Sequence, residues 1–119
     1  MSDSTIYESP SPISRGEVQA AIESNNLEQL KMVPISLGFY HTDWRYIQEI
    51  SCQLSTHPDH QVRANSLLGL EYAARFQGGL DKDTAAAVLH RSLHDPSTSV
   101  AQRAEDVIEA LNHLMDWSI

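Results

Sequence analysis

Two stretches of this chain match one another at a fixed offset, and that self-similarity restricts the possible folds more than any other feature. Pro58 falls on Pro96, Val62 on Val100, Ser66 on Ala104 and Leu70 on Ile108, each pair 38 residues apart. The preceding helices align at the same offset, Ile50 on Val88 and Leu54 on Ser92. A period of this size marks units that cannot bury their apolar faces alone, so that neighbours stack to share a core. The 119 residues accommodate about three such units, roughly the number at which a stack becomes stable. A compact irregular six-helix bundle is the structural alternative.

The helix signals recur along the chain. Ser14-Arg15-Gly16-Glu17 reads as a capping box ahead of Val18, Ala21 and Ile22. Asn25-Asn26 punctuates, and Leu27, Leu30, Val33, Leu37 and Tyr40 form a second stripe, with Pro34 expected to bend it. A third helix is expected from Thr42, with Asp43 at its positive end and Trp44, Ile47, Ile50, Ser51 and Leu54 inward. Asp59 is placed to cap a fourth helix carrying Val62, Ser66, Leu67, Leu70, Ala73 and Phe76, which Gly78-Gly79 ends.

Asp81 or Asp83 caps a fifth helix through Ala85, Val88, Leu89 and Leu93, and Asp95-Pro96 breaks it. A last helix from about Ser97 buries Val100, Ala104, Val107, Ile108, Leu111 and Leu114 or Met115. No alternating β-branched run or hairpin dipeptide suggests a strand. Residues 1–13, with Ser9-Pro10-Ser11-Pro12, read as an extended or flexible tail whose Ile6-Tyr7 is available to dock on the helices or a partner. Residues 14–119 read as one all-α helical repeat domain.

The segment His57-Pro58-Asp59-His60-Gln61-Val62-Arg63, followed by Ser66 and Leu70, resembles the HEAT repeat. The resemblance implies a HEAT-like α-solenoid of about three antiparallel helix pairs, each joined by an Asp/Pro turn, with a Val-Arg pair opening the second helix. Asp95-Pro96-Ser97-Thr98-Ser99-Val100 repeats the turn but carries Ala101 in place of the arginine. The ion-pair ladder that some HEAT arrays build through this arginine is therefore not expected. The first pair, Arg15 to Tyr40, lacks the Asp/Pro turn and suits an N-terminal cap.

Eight Lys and Arg stand against 16 Asp and Glu, a formal net charge of −8. That sign repels phosphate backbones and anionic membranes and attracts basic proteins, so neither nucleic acid nor membrane is an expected partner. The one cysteine, Cys52, rules out an intramolecular disulfide, and with no basic start or apolar run at Met1 to Tyr7 a cytoplasmic location is expected. Cys52 has no Lys or Arg beside it in sequence and reads as a half-buried structural thiol. His90 and His94 share a helix face but lack a third ligand, and no phosphate loop or catalytic set appears, so no cofactor, metal or enzymatic activity is expected.

Glu105, Asp106, Glu109 and Asp116 crowd the last helix, after whose Arg103 no Lys or Arg follows. Acid near a helix C-terminus opposes the macrodipole, at about 0.3–1 kcal/mol per exposed group. A solvated face that keeps the terminal repeat soluble accounts for this, as does a docking surface for a basic partner. Glu71, Tyr72 and Arg75 occupy the adjacent surface of the preceding second helix, with Tyr72 a candidate aromatic anchor. Asp43 beside Trp44 and Arg45 is a further candidate.

At Thr42-Asp43-Trp44, His57-Pro58-Asp59, Val62-Arg63 and Arg103-Ala104-Glu105-Asp106 the chain is similar to small bacterial HEAT-like immunity proteins of contact-dependent growth inhibition and related polymorphic-toxin systems. The resemblance covers roughly Ser14 to Trp117. It implies a monomer that binds one cognate toxin domain, a basic nuclease such as an EndoU-type ribonuclease, and blocks its substrate cleft. A HEAT-like scaffold or adaptor without toxin inhibition is the alternative. An enzyme such as a HEAT-like nucleic-acid glycosylase or tetrapyrrole lyase would need a basic groove or a reactive pocket.

Overall fold

The computed structural model describes residues 9–119, and the Ile6-Tyr7 contact considered above lies outside them. The described residues form six helices and no strand: α1 (Arg15–Ser24), α2 (Leu27–Tyr40), α3 (Trp44–Leu54), α4 (His60–Gln77), α5 (Lys82–Ser92) and α6 (Thr98–Met115). They pair as α1/α2, α3/α4 and α5/α6, and the second helices pack side by side, α2 on α4 and α4 on α6. The expected all-α stack of three helix pairs is the observed architecture.

Helix starts follow capping chemistry. Ser14 and Glu17 form the reciprocal box, at 3.0 and 2.9 Å. Asp59 accepts from the Gln61 and Val62 amides at 2.8 and 3.0 Å, and Asp81 rather than Asp83 caps α5 through Thr84. Thr42 does not open α3: Asp43 is its N-cap, accepting from the Arg45 amide, and the helix begins at Trp44. Asn25 supplies the left-handed residue that ends α1 (φ 51°), and Asn26 then caps α2. Pro34 sits inside α2, which runs through it as one helix.

The stripe Val62, Ser66, Leu70 and Ala73 of α4 is buried in the shared core with Leu30, Val33, Leu37, Ile47, Val88, Val100 and Val107. Its flanks are specialised. Asn65, Gly69 and Tyr72 face α2: Asn65 donates to the Lys31 carbonyl at 2.8 Å, Gly69 abuts Pro34 and Tyr72 abuts Gly38. Ala64, Leu67, Glu71 and Ala74 recur at spacings of three and four on the opposite flank, toward α6. A methyl group added at Gly69 would overlap Ser51 Oγ and crowd Pro34 Cβ at 2.9 Å, so α2, α3 and α4 converge there only because the side chain is missing. The Ser51 hydroxyl is buried at this junction without a hydrogen-bond partner among the described residues.

One rung of the unexpected ladder does form. Arg63, in the first turn of α4, clasps Asp95 of the next turn through Nε and Nη2 at 2.9 and 3.0 Å, and its Nη1 donates to the His57 and Pro58 carbonyls. Asp95 also accepts from the Ser97 amide at 2.8 Å, so a single carboxylate ties the second pair to the entry of α6. Ala101, at the corresponding position of α6, has no guanidinium with which to make a second rung. The Arg63 hydrogen bonds hold the Asp95 carboxyl below the usual range, and Asp95 in turn raises Arg63.

Because the Asp95 pKa is depressed on folding, its contribution to stability is present above the unfolded value of about 3.9 and disappears as pH falls through the folded value. The two side chains retain 17% and 12% of their exposure, so breaking the bidentate contact should cost about 2 kcal/mol, less than for a fully buried pair. Asp95→Asn is expected to lower the urea midpoint at pH 7, and the difference should shrink progressively as pH falls below the unfolded value of about 3.9 and through the depressed folded value, measured by circular dichroism. Gly69→Ala should destabilise by about 1–3 kcal/mol through overpacking, with no accompanying pH dependence.

Candidate partner-binding surface

Phe39, in the last turn of α2, meets Tyr72 and Phe76 of α4, and Tyr40 joins this aromatic cluster through Phe39 at 6.3 Å. Ring centroids lie 4.9 Å apart for Phe39 and Phe76, 5.1 Å for Phe39 and Tyr72, and 5.5 Å for Tyr72 and Phe76. Phe39, Tyr40 and Phe76 stay 40%, 49% and 47% exposed, whereas Tyr72 is half-buried. Gly38 makes the cluster possible, since a Cβ there would overlap Tyr72 Cβ. Gln77 Nε2 locks the helix ends together by donating to the Gly38 and Phe39 carbonyls at 3.1 and 3.4 Å, and Tyr40 Oη donates to the Pro10 carbonyl at 3.2 Å.

This arrangement corrects the placement of Tyr40 and Phe76 on buried stripes. Each lies three residues beyond a stripe position, and a three-residue step falls about 60° short of a full helical turn. In α4 two such steps, Leu70 to Ala73 to Phe76, rotate the ring off the core and toward α2. Phe39 was not singled out in sequence at all; the available signal was an aromatic just outside the stripe at a helix end that carries no basic residue.

The acidic candidates divide by position. Glu71 is nearly covered on the α6 side of α4 and accepts from Arg75 Nη2 at 2.9 Å. Gln102, Glu105, Glu109 and Asn112 occupy on α6 the repeat positions that Ala64, Leu67, Glu71 and Ala74 occupy on α4. Glu105 and Glu109 therefore line the open end of the stack, where a further helix would pack. Asp106, bonded by Gln102 at 3.3 Å, turns toward the outer surface shared with Tyr72 and Arg75. Asp116 is not within α6 but is its left-handed C-cap (φ 57°), with its amide donating to Asn112. Asp43 is committed to capping: the upward push of desolvation is outweighed by the Arg45 and Tyr46 amides and by Arg15 at 3.2 Å, so its carboxyl lies below the usual range.

The histidine pair is drawn apart in role: His90 Nε2 bonds the Ile119 carbonyl at 2.9 Å, and no group of three metal-binding side chains occurs among the described residues. Arg91, on the neighbouring first helix, lies close enough to Cys52 to favour its thiolate, which sequence adjacency did not reveal. Burial outweighs it and pushes the Cys52 thiol up. Cys52 should accordingly react with a disulfide reagent at pH 7.5 at least tenfold more slowly in the native chain than in urea.

Fold and surface define an all-α helical-repeat protein. No family model matches the chain, and no curated protein matches it. Among solved structures it is similar to a chain in the crystal structure of a CDI complex from Cupriavidus taiwanensis LMG 19424. The two share 22% sequence identity with a TM-score of 0.79, over 91% of this chain and 96% of the other, so the fold is shared over most of both chains.

Proposed function

We propose that this chain is an immunity protein of a contact-dependent growth inhibition system, which binds a cognate toxin domain and neutralises it without catalysis of its own. The observation that carries this reading is the near-complete overlap with a chain of a CDI complex, in a protein whose own sequence resembles the same class. We read the partner as a basic nuclease domain, of which an EndoU-type ribonuclease is one form, held one to one with its substrate cleft blocked. The formal charge of −8 favours such a partner, because opposite net charges raise the association rate and oppose wrong pairings.

Glu105, Glu109 and Asp106 are exposed at the open end and outer surface of α6, where they steer a basic domain while other contacts supply residence time. Asp116, Glu71, Tyr72, Arg75 and Asp43 complete the candidate contact set. Co-expression should protect cells from the toxin encoded beside this chain and from no unrelated toxin. Failure to bind or protect against it would end the reading. The double reversal Glu105→Lys and Asp106→Lys should slow association about tenfold at low salt and flatten the dependence of the rate on ionic strength, measured by stopped-flow.

A further inference from the structure

Most large apolar side chains of this molecule are covered, but three aromatics cluster in the open on one end of the second-helix layer. That end has a definite electrical character. The α2 and α4 contacts advance together, Lys31 with Asn65, Pro34 with Gly69 and Gly38 with Tyr72, so the two helices run parallel and bring their C-termini side by side. Each C-terminus carries about half a negative charge, favouring cations beside it. Helix α2 has no basic residue in its last turn, and the basic residue in the last turn of α4, Arg75, is neutralised by Glu71 at 2.9 Å. The exposed ring faces add their own negative potential.

We infer that the Phe39, Tyr40, Tyr72 and Phe76 cluster is the anchor of the complex, and that its occupant is a cationic side chain of the toxin domain, an arginine or lysine set among apolar neighbours. The inference rests on the immunity reading and adds where the toxin docks and what chemistry it presents. An arginine suits the site best, because its plane stacks on a ring while its donors reach the helix ends. Gln77 already occupies the Gly38 and Phe39 carbonyls, so the attraction comes from the rings and the dipoles rather than from those two acceptors. The acids at the open end of α6 steer, and the aromatic end retains.

The test uses the full chain and the catalytically inactivated toxin domain encoded beside it. Dissociation is followed by surface plasmon resonance for wild type, Phe39→Ala, Phe76→Ala and Phe39→Leu, with circular dichroism melts to show that each variant folds. The alanine variants should raise Kd at least thirtyfold, mainly through koff, and Phe39→Leu, which keeps area but loses the ring face, should raise it by an intermediate factor. If wild type binds and the folded alanine variants bind equally well, the anchor lies elsewhere and this inference is overturned while the immunity reading stands. Leucine matching phenylalanine would overturn the cationic occupant. Self-association of the free chain, abolished by the same alanines in sedimentation experiments, would assign the patch to a second copy. No binding by wild type would remove both readings.

Discussion

Gly69 brings the backbone of α4 against Pro34 of α2 and Ser51 of α3, and the spacing of the whole stack descends from that approach. With a side chain there, the second helices would part, and the stripes on either flank of α4 would lose their partners together. The same closeness is repeated one turn later at Gly38, where it seats Tyr72. A packing constraint at the centre of the fold is thus also what assembles the aromatic cluster at its end. The Ser51 hydroxyl, buried at this junction, has no hydrogen-bond partner among the described residues.

The pairs are tied by apolar burial and by polar contacts in both layers, with Asn65 and Gln77 of α4 donating to α2 carbonyls. Asp81 donates its amide to Gln48, Arg91 reaches Ser55, and Arg63 spans to Asp95. The second helices meet through their flanks and keep an outer surface that neither core nor neighbour uses. An exposed surface on a rigid repeat needs little ordering when a partner docks on it.

Much of the fold was legible in the residues themselves. Capping residues, Gly78 at the end of α4, the Asp/Pro turns and the 38-residue offset mark helices and stacking through local chemistry, which needs no tertiary information. The proposed recognition surface was legible only in part. Acidic residues announce themselves by type, and Tyr72 by its position off the stripe. Phe39, Tyr40 and Phe76 did not, because an aromatic near a stripe reads as core until a neighbouring helix is placed. Arg63 was similarly ambiguous, since its partner Asp95 lies 32 residues away and is brought to it only when the two turns stack.

The sequence by itself determined six helices, their order, most of their inward stripes, the repeat that stacks them and the acidic balance of the chain. Those properties depend on periodicity of 3.6 residues, on capping and on summed charge, all of which are local or additive. Tertiary structure decided which acids stand at the open end, which carboxylate is consumed by Arg63, and which aromatics remain in solvent. Those outcomes depend on the rotation of each helix about its axis and on which flank a neighbour covers, and that is set by the approach at Gly69 rather than by any residue's own preference.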